Sequence, residues 1–278
     1  MKQPNINVEA LMKAQFSYTK FWWTTASLCR FLIVVINAVA LFITANAGVL
    51  AFFAVILTIA QPLAQWYSDR LKSTANSILR KIEMAKGLDW AIKPREISDI
   101  IATLPKRVKQ QAEKTAGLPE NYFSSQEPPS PRRLLQNLEE SAWWTKHQAR
   151  PMAWYAAIFS CAVVGVAIII LIVSLQSALS QTTANNIAKV TISVIAFVFS
   201  GGYIRLADDY NRLAYAAEWA EDKAHSLKDK PDLTESEAIK VVHDYHIARA
   251  GSPLLPEWLW KMKQKELNEL WDQRATQS

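Results

Sequence analysis

The sequence predicts an all-α membrane protein, with four transmembrane helices in two hairpins plus a helical cytoplasmic domain. Charged residues are absent from 31–68 and 151–188, and again from 190–204 after the single Lys189. An ion at the centre of a bilayer costs about 2.5–3.5 kcal/mol, so a membrane span requires such stretches. The cations lie mostly on one side of these runs, and no segment shows the alternation that is typical of a strand.

The two apolar runs divide into four spans, because one span needs about 20 residues. In the first run Asn46-Ala47-Gly48 supplies a tight turn, and in the second a polar segment at 176–186 separates the halves. The predicted spans are 31–45, 48–66, 154–175 and 187–206. A cleaved signal peptide is the alternative for the first run, but 30 residues precede it and more apolar sequence follows.

The distribution of cations predicts the orientation. Of 31 Lys and Arg residues, only Lys189 falls in a hairpin tip, while Arg30, Arg70 and Arg150 flank the opposite ends of the spans. Tryptophan and tyrosine collect near the same ends, as is typical of a membrane interface. By the positive-inside rule, both termini and the middle segment are predicted to be cytoplasmic.

Five segments follow from these boundaries. They are an N-terminal approach helix at 1–30, a first hairpin at 31–68, a helical middle segment at 69–150, a second hairpin at 151–206, and C-terminal helices at 207–278 that pack with the middle segment. Asn7 is expected to cap the first helix, and Gly87 to end the helix that follows the first hairpin. Pro94 suits the first turn of a helix through 104.

The second half has similar local signals. An amphipathic helix at 132–148 is expected to run into the third span, and an exit helix to continue the fourth span to about 227. Thr234 and Glu237 form a capping box for a helix to about 250. Pro256 is expected to open a final helix through 271.

A short internal repeat links the two halves. Tyr18-Thr19-Lys20 precedes the first hairpin, and Trp144-Thr145-Lys146 precedes the second. Either duplication or chance accounts for matches of this length.

Catalytic patterns are missing from the sequence. It has no phosphate loop, nucleophile elbow or zinc-protease signature. His243 and His246 lie three apart beside Asp244, but no Cys or third ligand stands at a metal-binding spacing. We therefore expect neither an enzyme nor a bound metal or cofactor.

The spans contain polar and small residues at helical spacing. These residues are Asn37 and Thr44 in the first span, and Ser193, Ala196, Ser200 and Tyr203 in the fourth. One interpretation is close packing between membrane helices. The other is a water-filled path in an oligomer. Lys189 and Arg205 lie at the ends of the fourth span, and no ion lies in the interior of a span, which disfavours a proton relay or a charge-coupled transporter.

Basic and aromatic residues occur together outside the spans. The candidates are Arg132, Arg133, Trp143, Trp144, Lys146, Arg249 and Trp258. Guanidinium pairs with phosphate and indole stacks on a base, so the combination suits an anionic ring ligand such as a nucleotide. The alternative is anchoring at the membrane interface together with packing of a small domain.

Two short elements and the layout carry a family resemblance. The approach helix ends in Tyr18-x-Lys20, and the tail has Arg249, then Pro253, then Pro256-Glu257-Trp258 before a final helix. With two hairpins around a helical middle, the chain resembles the SMODS-associated four-transmembrane effectors of bacterial antiphage defence. The tail element is the most specific part, whereas Thr19 departs from the small residue that the family has before its lysine.

The resemblance implies an effector of a cyclic-oligonucleotide signalling system in the bacterial inner membrane. Such a protein would be a homo-oligomer in membrane lipid, would bind a cyclic oligonucleotide rather than a nucleic acid polymer, and would disrupt membrane integrity in a pore-like manner. The alternatives are a non-gated membrane scaffold or small channel whose cytoplasmic domain binds a protein partner, and, with least support, a membrane-bound enzyme.

Overall fold

The computed structural model describes residues 7–40, 47–115, 123–176, 180–200 and 202–277, and within these ranges every regular element is a helix. In chain order the helices are α1 (Val8–Ala40), α2 (Ala47–Leu88), α3 (Pro94–Thr103), α4 (Lys106–Thr115), α5 (Pro131–Gln176), α6 (Gln181–Ser200), α7 (Tyr203–Lys228), α8 (Glu235–Gly251) and α9 (Glu257–Gln277). The all-α prediction is confirmed for these residues.

Four helical stretches are long and apolar enough to cross a membrane. Among the described residues they are Val8–Ala40, Gly48–Leu88, Pro131–Ser174 and Gln181–Lys228. Many of their large apolar side chains are exposed, including Phe52, Ile169 and Phe199. A soluble protein would bury such residues, whereas hydrocarbon solvates them. Length and composition are therefore those of a multi-pass membrane protein.

The chain forms two compact units, which we name by their composition. The charged unit comprises Met1–Phe21, Ser68–Arg150 and Arg212–Ser278, and the apolar unit comprises Trp22–Tyr67 and Pro151–Asn211. Of the predicted turn Asn46-Ala47-Gly48, Asn46 lies outside the described residues, whereas Ala47 and Gly48 are the first two residues of α2 and not part of a turn.

Two large hydrophobic cores and one small cluster stabilise the charged unit. One joins α1, α2 and α4 through side chains such as Leu11, Leu79 and Val108. The other joins α5, α7 and α8 around Leu135 and Tyr245. The face of α7 in this second core consists of alanines, namely Ala217, Ala220 and Ala224. Small side chains let neighbouring helices approach closely, so α7 packs tightly between its partners.

The local signals at helix starts are confirmed. The Oδ1 of Asn7 accepts a hydrogen bond of 2.9 Å from the Glu9 N–H at the start of α1. Pro94 is the first residue of α3. At α8 the capping box is complete, because the Thr234 hydroxyl accepts from the Glu237 N–H and the Glu237 carboxylate accepts from the Thr234 N–H. Hydrogen bonds from Lys230 and Thr234 lower the pKa of Glu237 to about 2.

The long helices differ from each other in continuity. Helix α5 is unbroken over Pro131–Gln176 and so contains both the amphipathic segment and the third span, as predicted. The fourth span is not continuous with its exit helix, because α6 ends at Ser200 and α7 begins at Tyr203. Gly202 has φ 75°, a left-handed conformation that glycine adopts without the cost of a Cβ.

The end of α2 differs from the prediction in its mechanism. The left-handed residue that ends the helix is Asp89, with φ 58°, and not Gly87. Gly87 instead lies against α5, where an added Cβ would be 2.7–3.0 Å from side-chain and backbone atoms of Leu134. The missing side chain therefore serves a close helix crossing, and the Gly87 carbonyl accepts a hydrogen bond of 2.7 Å from the Ser130 N–H.

Candidate functional site

The two adjacent tryptophans predicted to stack on a ligand pack against α9. Trp143 is 6% exposed, and its ring centroid lies 5.2 Å from that of Trp271 and 4.5 Å from that of His147. Trp144 contacts Trp260 at 4.9 Å. These contacts join α5 to α9. For both tryptophans they correspond to packing of a small domain, the alternative to stacking on a ligand.

Lys146 belongs to a buried group of charges that we call the acid-balanced network. Its members are Glu139, Glu221, Lys146, Lys228, His225 and Arg274. The Lys146 Nζ lies 2.6 Å from Glu221, whose side chain is 4% exposed, and Arg274 binds the same carboxylate. Every cation here lies beside one of the two buried acids, so each has a direct counter-ion even though the cations outnumber the carboxylates.

Glu139 is the second acid of the acid-balanced network. Burial would raise its pKa, but hydrogen bonds from Lys228 and His225 and the charge of Arg274 outweigh burial and leave the pKa lowered. The Lys228 Nζ and the Arg274 guanidinium lie 2.8 and 2.9 Å from its carboxylate. A buried carboxylate with this many donors remains ionised and holds α5, α7 and α9 together.

The two arginines at the start of α5 lie apart from the tryptophans. Arg132 is half exposed and pairs with Asp229 at 3.2 Å and with Glu127 at 3.7 Å. The Nε of Arg133 is buried without a hydrogen-bond partner among the described residues. Ten residues of helix separate Arg133 from Trp143, or about 15 Å, so the predicted candidates do not form one compact site.

Arg249 is brought to a different group of residues. Its Nη1 donates to the Ser141 hydroxyl at 3.2 Å, and one turn earlier the Tyr245 hydroxyl donates to Thr145 at 2.8 Å. Trp258, at the start of α9, is 52% exposed.

Three cations from three distant segments converge in the charged unit, and we call them the cation cluster: Lys20 of α1, Lys72 of α2 and Arg249 of α8. The Lys72 Nζ donates to the Ala250 carbonyl at 2.8 Å and to the Ser252 carbonyl, which places it at the end of α8. Arg249 lies close enough to Lys20 and to Lys72 to act on the pKa of each.

The electrostatics of the cation cluster are unfavourable to its own charges. Burial lowers the pKa of Lys20, and the charge of Arg249 lowers it further against the opposing attraction of Glu257. Burial likewise lowers the pKa of Lys72, with Arg249 again adding to the effect and Asp69 opposing it. An anion bound here would offset both effects, because its negative charge would attract the buried ammonium groups and the guanidinium.

Sequence reasoning missed two members of the cation cluster as candidate ligand residues. Lys20 was recognised only as the end of the Tyr-x-Lys element, and Lys72 was only one of the 31 Lys and Arg residues that predicted the orientation. Each of the two short elements of the family resemblance therefore supplies one residue of the cation cluster. Lys20 is the last residue of the Tyr-x-Lys element, and Arg249 is the first residue of the tail element. That shared signal could have indicated Lys20.

The histidine pair on α8 has an internal partner. His246 is 6% exposed and its Nε2 contacts the carboxylate of Glu83, which is equally buried. His243 is exposed on another face of the helix. No group of three metal-ligating side chains occurs within the part of the chain that the structure describes.

The polar stripe of the fourth span does not face the interior of the apolar unit. Ser193 and Ala196 are exposed, whereas Thr191 and Val198 are the buried side chains of α6. The Ser193 hydroxyl donates to its own helix at Lys189. Among the stripe residues, packing within the unit is seen at Tyr203.

The remaining stripe residues are placed as follows. Tyr203 contacts Phe159 and Phe197 at 5.5 and 5.2 Å between ring centroids. Asn37 is exposed on α1. Thr44 and the side chain of Ser200 lie outside the described residues.

Close packing of small residues occurs instead on α5, which sequence reasoning did not single out. Its small buried side chains in the apolar unit are Ala153, Ala156, Ser160, Ala167 and Ser174. Their spacing of three, four or seven residues places them along one face. The two serines donate to carbonyls of their own helix, so they add no unsatisfied polar group to the contact.

Comparison of the chain with family models, with curated proteins and with solved structures finds no match in any of the three.

Proposed function

We propose that the protein is a ligand-responsive effector of the bacterial inner membrane, with its charged unit and both termini in the cytoplasm. In this proposal a cyclic oligonucleotide binds the charged unit, and the protein, as a homo-oligomer, then disrupts membrane integrity in a pore-like manner. The two hairpins supply the membrane part. The cation cluster is the observation that carries the proposal.

The cation cluster supports binding of an anion with more than one negative charge. Lys20, Lys72 and Arg249 lie close together, and the pKa values of both lysines are lowered by burial. Charge-assisted hydrogen bonds to phosphate are about twice as strong as neutral ones, and arginine can make two in parallel. A phosphodiester ligand carries the opposite charge and the acceptor oxygens that such a cluster of cations can bind.

The position of the cluster residues along the chain supports a coupling to the spans. Lys20 is in α1, which continues into the predicted first span as far as Ala40, and Lys72 is in α2, which contains the whole predicted second span. A ligand changes a conformational equilibrium only through different affinities for the two states, and a shift from 1:99 to 99:1 needs about 5.5 kcal/mol. Several charge-assisted bonds supply free energies of that order.

Dye leakage from vesicles tests the proposal. The full-length chain is reconstituted in phosphatidylethanolamine–phosphatidylglycerol vesicles and titrated with cyclic di-AMP, cyclic di-GMP and cyclic tri-AMP. We expect one of them to cause leakage, and Arg249→Gln or Lys20→Gln to raise the half-maximal concentration at least 10-fold. Lys223→Gln, at an exposed position of α7, is the matched control. No leakage with any of the three nucleotides, or an unchanged response in the cluster variants, would contradict the proposal.

The second candidate is a membrane scaffold or small channel whose cytoplasmic domain binds a protein partner. Trp258 and Met262 favour it, because they lie one turn apart on α9 and are 52% and 54% exposed. Exposed aromatic and methionine side chains are enriched at protein interfaces. This candidate predicts that partner association survives charge removal at Arg132, Arg133 and Arg249 and is lost in Trp258→Ala.

A further inference from the structure

An open groove of about 490 Å³ lies in the charged unit, away from the residues considered so far. Its floor includes Met84 of α2 and Ile239 of α8, which also pack against the hydrophobic core of α5, α7 and α8. Because the floor is part of a packed core, the groove has a rigid base. Its volume is within the range of about 300–1,000 Å³ that small-molecule sites have.

One wall of the groove is an aromatic side chain held by the end of α2. Trp90 lines the groove and is 50% exposed. It follows Asp89, whose φ of 58° turns the chain sharply at the end of the helix. A half-exposed indole beside an apolar floor offers a flat face on which a ring can stack.

The other wall is basic. Arg80 is exposed and forms no ion pair among the described residues. Lys81 is hydrogen-bonded to Glu96, and both line the groove. Hydrogen bonding by Lys81 lowers the pKa of Glu96, and the charge of Lys93 adds to the effect, so Lys93 is also near. Two cations thus act on one carboxylate, and Arg80 adds a third positive charge to this wall, with no acid paired to its guanidinium among the described residues.

We propose that this groove binds the base and an adjoining phosphate of a nucleotide, with the ring against Trp90 and the phosphate at Arg80. The inference rests on the proposed function for the identity of the ligand as a nucleotide, and it names a site that is separate from the cation cluster. An aromatic wall, an apolar floor and a single unpaired guanidinium select a ligand that is planar at one end and anionic at the other.

Photoaffinity labelling locates the site. The full-length chain in detergent is irradiated with 8-azido-cAMP, and tryptic peptides are mapped by mass. We expect the label in the peptide 87–95, which contains Trp90, and expect excess unlabelled AMP to reduce it at least 10-fold. Labelling in another peptide, or no labelling that AMP displaces, would overturn the inference.

Equilibrium dialysis of radiolabelled AMP adds an independent measurement. Trp90→Ala should weaken binding about 10-fold, Trp90→Phe about 3-fold, and Arg80→Gln about 5–10-fold, while Arg80→Lys keeps part of the affinity. Trp219→Ala is the matched control, since Trp219 is 46% exposed on α7, away from the groove lining. Equal binding by Trp90→Ala and the unchanged protein would refute the assignment. Stronger displacement by an acidic, tryptophan-containing peptide than by AMP would assign the groove to a protein partner instead.

The leakage assay separates this inference from the proposed function. If a cyclic oligonucleotide causes leakage but labelling and dialysis show no binding in the groove, the assignment of the groove as a nucleotide site is refuted and the effector function stands. If the groove binds AMP through Trp90 and Arg80 but none of the three cyclic oligonucleotides causes leakage, the binding site stands and the effector function is refuted.

Discussion

The cation cluster and the acid-balanced network place similar side chains in opposite surroundings. Lys146 and Lys20 end the two copies of the short internal repeat, yet Lys146 is 2.6 Å from a buried glutamate, whereas burial and Arg249 lower the pKa of Lys20. A buried charge that meets its counter-ion within the chain serves the fold. A partly buried charge that lies beside like charges costs stability, and such sites are where a ligand of opposite charge is expected.

The largest effect is expected from breaking the acid-balanced network. Glu221→Gln should lower the free energy of unfolding by about 3 kcal/mol, because Lys146 and Arg274 lose a buried counter-charge. Urea titration of the detergent-solubilised chain, followed by circular dichroism, measures it. The control is Glu218→Gln, whose partner Arg150 is half exposed, and which should cost less than about 1 kcal/mol. Equal losses in the two variants would refute a special role for the network.

A substitution that alters no charged residue separates the contribution of packing from that of electrostatics. Gly87→Ala should cost about 2 kcal/mol, because the new methyl group would lie within 3.0 Å of Leu134. Gly251→Ala is the control, since its methyl group meets nothing within 4 Å. The same urea titration applies, and the loss in Gly87→Ala should not vary with pH. A neutral outcome at Gly87 would show that α2 and α5 can separate at little cost.

Removal of a charge from the cation cluster should act in the opposite direction. Lys20→Met is expected to raise the free energy of unfolding by up to about 1 kcal/mol, because the lowered pKa of Lys20 shows that the fold disfavours its charge. Lys114→Met, at an exposed position of α4, should have no measurable effect. A loss of stability in Lys20→Met would mean that the lysine is compensated as Lys146 is, and the contrast between the two clusters would disappear.

The smallest effects are expected in the pH dependence of stability. They test the same contrast between the acid-balanced network and the cation cluster. The lowered pKa of Glu139 stabilises the fold above the ordinary glutamate value near ~4.3, and this contribution is lost as pH falls through the lowered value. Lys20 and Lys72 have lowered pKa values in the fold, so the folded state loses these protons at a lower pH than the unfolded state does. The free energy of unfolding should therefore rise as pH increases from the lowered values to the ordinary lysine value of ~10.4. Urea midpoints measured from pH 3 to 11 should show both slopes, and the double variant Lys20→Met, Lys72→Met should lose the alkaline one only.

The helices could be predicted from sequence because their signals are local. The capping box at Thr234 and the proline at α3 depend on a few neighbouring residues, and the apolar runs depend on composition alone. The break before α7 was harder to predict, because adjacent glycines fit both close packing and a left-handed turn. Gly87 shows the same limit, since only the position of Leu134 explains its missing side chain.

The candidate site was less predictable because it depends on contacts between distant segments. Trp143 and Lys146 have the residue types of a nucleotide site, but Trp271 and Glu221, more than 70 residues away, occupy them. Conversely, Lys72 has no local pattern and joins the cation cluster only because α8 ends beside it. Residue type predicts what a side chain can bind, whereas the fold decides whether another part of the chain already binds it.

The tryptophan pairs between α5 and α9 also give the protein an internal optical signal. Trp143–Trp271 and Trp144–Trp260 have ring centroids 5.2 and 4.9 Å apart, close enough for their electronic transitions to couple. Near-ultraviolet circular dichroism should therefore report whether α9 is docked on α5, without any attached dye. Any ligand that releases α9 from α5 or tightens its packing should change this near-ultraviolet circular dichroism spectrum.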